Sequence, residues 1–396
     1  MLRLAARGDG VTDDGRHIAL SAPGDHVAAD GTVAPGPHHV MPPCRHFPRC
    51  GGCQLQHVDQ ESYAAYLTDR IKGALAAQRL PPPVMHEPHL SPPRTRRRAS
   101  LRAERIGRRI VIGFNEAASH RIVDMRECHI LRPELFALIE PLRALLASDL
   151  RDRKPAGIRM TLTDQGIDLA LEGVSFEGLA GSEALTDFAT RQGLARLSLD
   201  EGYGPEARWE PEPVTVTLGG IAVPLPPNAF LQATEDGEAA LVAAVREIVG
   251  KAGTVADLFA GLGTFALPIA AEARVLAAEG ARDAALALQT AANRARRAIA
   301  VEHRDLFRRP LDRGELARFE AIILDPPRAG AKEQAPALAA AGAARIAYVS
   351  CNPATFARDA RTLIEGGWVL EWIRPIGQFL WTTHVELVAA FGRPGV

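Results

Sequence analysis

One cysteine near the C-terminus lies where chemistry could take place. Cys351 follows a short apolar run, 345–349, that predicts a β-strand, and Pro353 then opens a predicted helix. The free N–H groups and the positive dipole end of a helix favour a thiolate over a thiol. Cys351 is therefore a candidate nucleophile, although a buried structural cysteine fits this stretch, taken alone, equally well.

The other four cysteines are typical of a metal site. Cys44, Cys50 and Cys53 have the spacing C-x5-C-x2-C, and Cys128 lies much later in the chain. In a cytosolic protein such clustering favours metal over disulfide. A four-cysteine zinc site and an iron–sulfur cluster both use thiolates in this number, and the spacing alone slightly favours zinc.

The elements that would position Cys351 belong to an α/β pattern that begins at about residue 224. Strands are predicted at 255–259, 274–278, 299–303, 321–324, 345–349, 368–374 and 384–391, with helices ending near 273 and 297. Asp257, Glu279, Asp305, Asp325 and Cys351 fall at or near the carboxyl ends of five of these strands. Ligands of open α/β sheets bind at that edge, so the sequence predicts a ligand cleft there.

The glycines after the first of these strands narrow the choice of ligand. Gly261 and Gly263 form G-x-G, but Ala266 stands where a dinucleotide-binding loop has its third glycine. This substitution argues against a pyrophosphate. Glu279, at the end of the second strand, is placed to accept hydrogen bonds from ribose hydroxyls. A nucleoside ligand without pyrophosphate fits best, and we predict S-adenosylmethionine.

The chain before residue 224 is organised differently. Residues 1–42 show a strand–turn–strand pattern, too short to close a β-barrel, that ends in a Pro/Gly linker. Helices are predicted over 60–80 and 182–194, and strands over 157–175 and 214–223. We therefore predict three units: a small β-module at 1–42, an α+β central domain at 43–223 and an α/β domain at 224–396.

The segment 94–109 is the most basic part of the chain. It holds eight arginines and one acid, Glu104, interleaved with Ala99, Leu101, Ala103 and Ile106. This pattern predicts a β-hairpin with an arginine-rich face, whose planar guanidinium groups suit phosphate contacts. A solvated charged strand is the alternative, but RNA or another polyanion is the favoured partner.

Composition and charge exclude other classes. The 396 residues, 47% hydrophobic and 23% charged, are typical of a soluble globular protein with two or three domains. No apolar run reaches the roughly 18 residues of a membrane span, so no membrane partner is expected. The net charge of −1 argues against a uniformly basic nucleic-acid binder. The segment before Gly8 is too short for a signal peptide, which predicts a cytoplasmic location.

Motifs along nearly the whole chain resemble those of the RNA uracil-5-methyltransferase family. They are Cys50-Gly51-Gly52-Cys53-Gln54-Leu55-Gln56-His57 with Cys44 before it, His120-Arg121-Ile122-Val123-Asp124, Glu127-Cys128, Phe230-Leu231-Gln232, Asp257-Leu258-Phe259-Ala260-Gly261-Leu262-Gly263, Asp325-Pro326-Pro327-Arg328, Ser350-Cys351-Asn352-Pro353 and His384-Val385-Glu386. The resemblance implies a C-terminal Rossmann-like class I methyltransferase domain with a doubly wound, seven-stranded sheet. It also implies that residues 1–42 are a truncated form of the TRAM barrel found in other members.

The resemblance assigns roles to individual residues. In this family the cysteine of Ser-Cys-Asn-Pro adds to C6 of uracil, and a carboxylate in the last strand later removes the C5 proton. The matching residues are Cys351 as the nucleophile and Glu386 as the general base. The cofactor contacts carried over by position are Gln232, Phe259, Thr264, Glu279, Asp305 and Asp325. Members often have asparagine where this chain has Thr264.

The resemblance also bears on the cluster and the substrate. Cys44, Cys50, Cys53 and Cys128 match members that bind a 4Fe–4S cluster, which reverses the preference for zinc. The expected activity is methylation of a uridine at C5 in 23S ribosomal RNA by a monomeric enzyme. A transfer RNA substrate is the alternative within the enzymes, and a catalytically silent RNA-binding protein of the same fold is the alternative outside them.

Overall fold

The computed structural model describes residues 1–28, 30–152 and 154–393. The N-terminal segment contains only short strands. They are β1 (Arg3–Leu4), β2 (Gly10–Val11), β3 (His17–Ile18), β4 (His26–Val27) and β5 (Val33–Ala34). β1, β2 and β3 form an antiparallel sheet, as the strand–turn–strand pattern predicted, and β4 pairs with β5 separately. The buried Asp25 carboxylate joins the loops of this segment, because it accepts from the N–H groups of Ala22 and Gly36.

A long helix and a six-stranded sheet follow. Their elements are α1 (Gln60–Ala77), β6 (Val84–Met85), β7 (His89–Leu90), β8 (Arg98–Ile106), β9 (Arg109–Gly113), α2 (Pro133–Ala137), α3 (Ile139–Asp149), β10 (Ala156–Thr163), β11 (Gly166–Glu172), α4 (Gly178–Gln192), β12 (Leu194–Asp200) and β13 (Pro205–Trp209). The sheet order is β13-β12-β11-β10-β8-β9. β8 and β9 form the predicted arginine-rich hairpin. Ala99, Leu101 and Ala103 of β8 are buried in the core, so the alternate residues Arg98 and Arg102 lie on the other face.

The C-terminal part is an α/β domain. Its elements are β14 (Thr215–Leu218), β15 (Ile221–Pro224), α5 (Glu235–Val249), β16 (Thr254–Leu258), α6 (Ala266–Ile269), β17 (Arg274–Glu279), α7 (Arg282–Arg294), β18 (Ile299–His303), α8 (Arg313–Leu316), β19 (Ala321–Leu324), α9 (Ala335–Ala339), β20 (Arg345–Ser350), α10 (Pro353–Glu365), β21 (Val369–Gly377) and β22 (Glu386–Gly392). The sheet order is β18-β17-β16-β19-β20-β22-β21, extended by β6 and β7 from the preceding part. β22 is antiparallel to both of its neighbours, and the strands from β18 to β20 pair in parallel.

Helices cover both faces of this sheet, which confirms the doubly wound prediction. Residues of α5 and α7 pack into one layer, and residues of α1, α9 and α10 pack into the other. The neighbouring residues Ile322 and Ile323 of β19 are both fully buried and belong to opposite layers. A strand buried on both faces explains why the apolar runs of this domain were continuous rather than alternating.

Two helices are shorter than the sequence suggested. α6 ends at Ile269 because the chain must turn back to enter β17 at Arg274. α7 ends at Arg294, and Arg296 takes a left-handed conformation with φ of 50°, which stops a helix. In the described ranges no helix is both long enough and apolar enough to span a membrane.

Candidate active site

Cys351 and Glu386 lie side by side at one edge of the sheet, where β20 ends and the neighbouring β22 begins. Ser350, the last residue of β20, pairs with Leu387 of the antiparallel β22. Continuing this register by one residue places Cys351 opposite Glu386, the first residue of β22. The two residues expected to act on uracil are therefore brought together by strand pairing.

The surroundings of Cys351 keep its sulfur protonated. Burial raises the pKa of the Cys351 thiol, the carboxyl groups of Glu386 and Asp325 raise it further, and the nearby Arg328 opposes them. Cys351 does precede α10, and Asn352 caps that helix by accepting from the N–H of Ala354 at 3.1 Å. The expectation that the helix terminus favours the thiolate is wrong for this state, because burial and two acids outweigh the helix dipole.

Glu386 has the properties of a general base. Its side chain is buried, and burial raises its pKa from 4.5 to about 7, while a hydrogen bond from Gln378 and the charges of Arg98 and Arg328 act in the opposite direction. A carboxyl group with a pKa near neutrality can accept a proton at physiological pH and release it again.

Gln378 links Glu386 to a predicted cofactor residue. Its amide nitrogen donates to Oε2 of Glu386 and, at 2.7 Å, to Oε1 of Gln232. Its oxygen accepts from the backbone N–H of Ala233 at 2.8 Å. No motif or charge pattern in the sequence marks Gln378, a neutral amide that directly follows the apolar strand β21.

The loop after β16 has a strained backbone. Phe259 takes a φ of 66°, which is rare for a bulky residue, and its N–H and that of Ala260 both donate to the carbonyl of Ala278. The Phe259 ring lies 5.5 Å from the ring of Phe307 across the cleft edge. The backbone thus turns sharply at the carboxyl ends of β16 and β17, where a nucleoside was predicted to bind.

Glu279 stabilises this loop. Its two carboxylate oxygens accept from the N–H groups of Gly261 at 2.7 Å and Ala281 at 2.6 Å. These two hydrogen bonds therefore fix the position of the Glu279 carboxylate, the predicted acceptor for the ribose hydroxyls. Thr264 is half-buried in the same loop, whereas Asp305 is exposed after β18 and accepts from the N–H of Phe307 at 2.9 Å.

Buried acids gather at this edge of the sheet. Asp257 is fully buried, and within the described residues no side chain donates a hydrogen bond to its carboxylate oxygens. Burial raises the pKa of Asp257 to about 7; the backbone N–H of Ala266 acts in the opposite direction, and the charge of Glu279 adds to the increase. Burial together with Glu386, Asp257 and Glu279 raises the pKa of Asp325 well above its usual range. A cationic ligand would stabilise the ionised form of these carboxyl groups. S-adenosylmethionine carries two cationic groups, a sulfonium and an ammonium.

The four clustered cysteines line one cavity. Cys44, Cys50, Cys53 and Cys128 share it with apolar side chains that include Phe114. Burial raises the pKa of all four thiols, that of Cys53 to about 12. A metal centre binds cysteines as thiolates, so it would displace the protons of these four thiols. Four thiols that line one apolar cavity therefore form a donor set that fits such a centre.

The spacing of the sulfur atoms bears on the zinc hypothesis. Among the described residues, one group of three His, Cys, Asp or Glu side chains has its ligand atoms within 4.8 Å of one another. This group is His38, Asp59 and Glu61, so no three of the cysteine sulfurs lie that close. Zn–S bonds of about 2.3 Å in a tetrahedron would bring sulfurs within about 4 Å of one another. As they stand, no three of the four sulfurs are close enough to form part of such a tetrahedron.

The cysteine loop supports the segment that precedes Glu386. The N–H groups of Gln54 and Leu55 both donate to the carbonyl of Trp381, at 2.8 and 2.9 Å. The Tyr63 hydroxyl of α1 donates to the carbonyl of Phe379 at 3.0 Å. Hydrogen bonds therefore join the loop that carries Cys50 and Cys53 to the segment that precedes Glu386.

Four of the eight arginines of 94–109 divide into two sets, and only the second lies on the predicted arginine-rich face. Arg97 is buried and forms an ion pair with Glu238 at 2.6 Å, and Arg105 donates to backbone carbonyls at the end of α3. Arg98 and Arg102 instead lie on the outer face of the sheet. The first set stabilises the fold. In the second set Arg102 is exposed, and Arg98 is half-buried with its guanidinium over the Phe230 ring.

Comparisons with known proteins agree with this geometry. Residues 225–391 match the family described as tRNA (uracil-5-)-methyltransferase. An uncharacterized RNA methyltransferase of Zymomonas mobilis is 56% identical over 99% of this chain and 98% of its own length. A 23S rRNA (uracil(1939)-C(5))-methyltransferase of Pectobacterium atrosepticum is 31% identical over 92% of this chain and 83% of its own length.

A solved structure shares the whole architecture. The tRNA (uracil-54, C5)-methyltransferase of Pyrococcus abyssi, in complex with S-adenosyl-L-homocysteine, has a TM-score of 0.77 and covers 99% of this chain and 98% of its own. Its sequence identity is 23%, so the likeness supports the α/β fold alone.

Proposed function

Because the chain belongs to the RNA uracil-5-methyltransferase family, we propose that it methylates C5 of a uridine in ribosomal RNA through a covalent bond between Cys351 and C6 of the uracil. The observation that carries this proposal is the strand register that places Cys351 opposite Glu386. A catalytically silent RNA-binding protein would need neither residue, and the presence of both argues against that alternative.

The proposed reaction uses the two residues in sequence. The Cys351 thiol gives its proton to water, and the thiolate sulfur adds to C6, which moves electron density to C5 and makes that carbon nucleophilic. S-adenosylmethionine supplies the electrophilic methyl group when bound. Glu386 then takes the proton from C5, the electron pair of the broken C–H bond restores the C5–C6 double bond, and the C6–S bond breaks with its electrons returning to Cys351.

The cofactor is proposed to bind at the carboxyl ends of β16, β17 and β19. The residues that would hold it are Gln232, Phe259, Thr264, Glu279, Asp305 and Asp325. The buried acids of this edge and the strained turn at Phe259 support the assignment. Asp305 is the outermost of the set, so its contact depends on how the ligand extends past β18.

The four-cysteine cavity is proposed to hold a 4Fe–4S cluster through Cys44, Cys50, Cys53 and Cys128. The cavity that these four cysteines line, and the match of their positions to cluster-binding family members, support this choice. The cluster would rigidify the loop that donates two hydrogen bonds to the carbonyl of Trp381.

Ribosomal RNA is the proposed substrate, with transfer RNA as the alternative. The relative at 31% identity, named for 23S rRNA, supports the first choice. A cytoplasmic location and a monomeric state are proposed as well, as the sequence predicted. Two adjoining grooves support binding of a phosphate backbone. Arg7, Arg102 and Thr383 line one groove, Arg98 and Arg159 line the next, and both grooves reach the outer face of β8.

Methyl transfer to defined RNAs tests the proposal. We expect the purified protein to transfer labelled methyl groups from S-adenosylmethionine to a uridine of unmodified 23S rRNA and not to unmodified transfer RNA. Cys351→Ala should abolish transfer while binding S-adenosylhomocysteine with nearly unchanged affinity. Label in transfer RNA alone would reassign the substrate, and turnover by Cys351→Ala would contradict the covalent mechanism.

A further inference from the structure

We propose that Gln378 is a positioning residue that fixes which oxygen of Glu386 takes the substrate proton and which side of Gln232 faces the cofactor. The inference rests on the proposed function, since it acts through the roles of these two residues. It concerns a side chain to which neither the motifs nor the comparisons assign a role.

The orientation of Gln378 follows from one backbone group. The N–H of Ala233 can only donate, so the Gln378 atom that faces it at 2.8 Å must be the amide oxygen. The amide nitrogen, with its two hydrogens, then faces Gln232 and Glu386. Gln378 is 2% exposed, so water does not compete for these hydrogen bonds. Its three partners are the N–H of Ala233, which donates, and Oε1 of Gln232 and Oε2 of Glu386, which accept.

This orientation makes the two oxygens of Glu386 unequal. Oε2 accepts a hydrogen from Gln378, which lowers its affinity for a proton. Oε1 has no such donor from Gln378, so it is the oxygen that takes the proton from C5. As the C5–H bond breaks and the O–H bond forms at Oε1, the freed electron pair restores the C5–C6 double bond and expels the Cys351 sulfur.

The same network sets the orientation of Gln232. Its Oε1 accepts from Gln378 at 2.7 Å, so its own amide nitrogen is turned away from Gln378 with both hydrogens available. A buried amide held in this way presents donors, not an acceptor, to the cofactor cleft. We therefore expect Gln232 to bind an acceptor atom of the cofactor, and Gln378 to contribute to cofactor affinity without touching it.

Close packing prevents Gln378 from rotating out of this position. A Cβ added to Gly237, in the first turn of α5, would lie 2.7 Å from Cβ of Gln378. A Cβ added to the neighbouring Gly377 would lie 2.8 Å from Leu90 and 2.9 Å from Leu67. Both contacts are shorter than a real Cβ tolerates, so the glycines allow α5 and β21 to close around the glutamine.

The charges around Glu386 determine the direction of the pH effect. Arg98 and Arg328 favour its carboxylate form, as does the hydrogen bond from Gln378, whereas Asp325 and Cys351 face it as groups that become negative. Loss of the Gln378 donor alone removes one of the three stabilising contributions. The pKa of Glu386 should then rise, and the acidic limb of the pH–rate profile should move to higher pH.

Gln378→Met tests the inference, because methionine has a similar length and no hydrogen bond. We expect turnover at pH 7 to fall about tenfold or more, as for a lost hydrogen bond to a charged group, and the acidic limb to move up by about one pH unit. The dissociation constant for S-adenosylhomocysteine should rise several-fold. The matched control is Gln334→Met, since Gln334 is equally buried and bonds Leu311 through both of its amide atoms away from the site.

Gln378→Glu provides a nearly isosteric second variant if the methionine variant fails to fold. Its carboxyl can still accept from Ala233 but can donate to Glu386 only when protonated, so activity should fall as the pH rises. If both variants keep the wild-type pH profile and cofactor affinity, or if Gln334→Met shifts them equally, the positioning role is contradicted. Glu386→Gln is assayed in parallel: its normal turnover would contradict the proposed function itself, independently of the outcome at Gln378.

Discussion

Replacing Glu386 by glutamine should stabilise the free protein while it removes turnover. Burial raises the pKa of Glu386 from 4.5 to about 7, so ionising it costs more free energy in the folded protein than in the unfolded chain. For an acid with a raised folded pKa, the favourable contribution is complete below about pH 4.5 and is lost as the pH rises through 7. The lost free energy of unfolding is about 1 kcal/mol at pH 5 and about 3 kcal/mol at pH 8.

The assay is urea unfolding of the wild type and Glu386→Gln at pH 5 and pH 8 without RNA. Glutamine keeps the size of the side chain and can still accept from Gln378, so the variant removes the charge and little else. The variant should also lower the pKa of Asp325, because the charge of Glu386 contributes to raising it. This change adds to the expected stabilisation at pH 8. The control Glu183→Gln changes an exposed glutamate of α4 and should alter the free energy of unfolding by less than about 0.5 kcal/mol at either pH.

The pH dependence decides whether this reasoning holds. A stabilisation that is large at pH 8 and small at pH 5 is the signature of a buried carboxyl with a raised pKa. An equal change at both pH values, or no stabilisation at pH 8, would refute the argument that burial determines the protonation of Glu386.

Three further predictions concern the cofactor loop, the core and the cluster. Gly263→Ala should weaken S-adenosylhomocysteine binding at least about tenfold by calorimetry, because its φ is 92° and the new Cβ would lie 2.4 Å from Leu288; unchanged affinity would show that the loop adapts. Arg97→Met should lower the free energy of unfolding by about 3 kcal/mol, since it leaves Glu238, whose side chain is 13% exposed, without its ion-pair partner, and a loss below about 1 kcal/mol would count against that pair. Protein purified anaerobically should be brown and contain about four iron and four sulfide per chain; stoichiometric zinc without sulfide would restore the zinc hypothesis.

The sequence predicted the sheet well because its strands are buried on both faces. The strands at 299–303 and 321–324 agree with β18 and β19 to the residue. β12 and β13 were missed, since nearly every residue of β12 is buried and no alternation marks it as a strand beside the predicted α4. The division into units at residues 42 and 223 stays a prediction.

The electrostatic character of the site could not be read from the sequence. The raised pKa of Cys351 depends on Asp325 and Glu386, which arrive from other strands and are not visible in the Ser-Cys-Asn-Pro motif. Likewise, the sequence shows Arg97 only as one member of a basic run. Its partner Glu238 lies 141 positions later in the chain, so the ion pair is visible only in the folded structure. The motifs located the reacting groups, and tertiary structure set their protonation.

The most direct test of the central claim is to look for the covalent intermediate in Glu386→Gln. Attack by Cys351 and methylation do not require a base at C5, whereas release does, so this variant should accumulate a protein–RNA adduct. The adduct should survive denaturing electrophoresis and carry methyl label from S-adenosylmethionine, and the double variant with Cys351→Ala should form none. RNA binding without any labelled adduct, or adduct formation that persists in the double variant, would contradict the account.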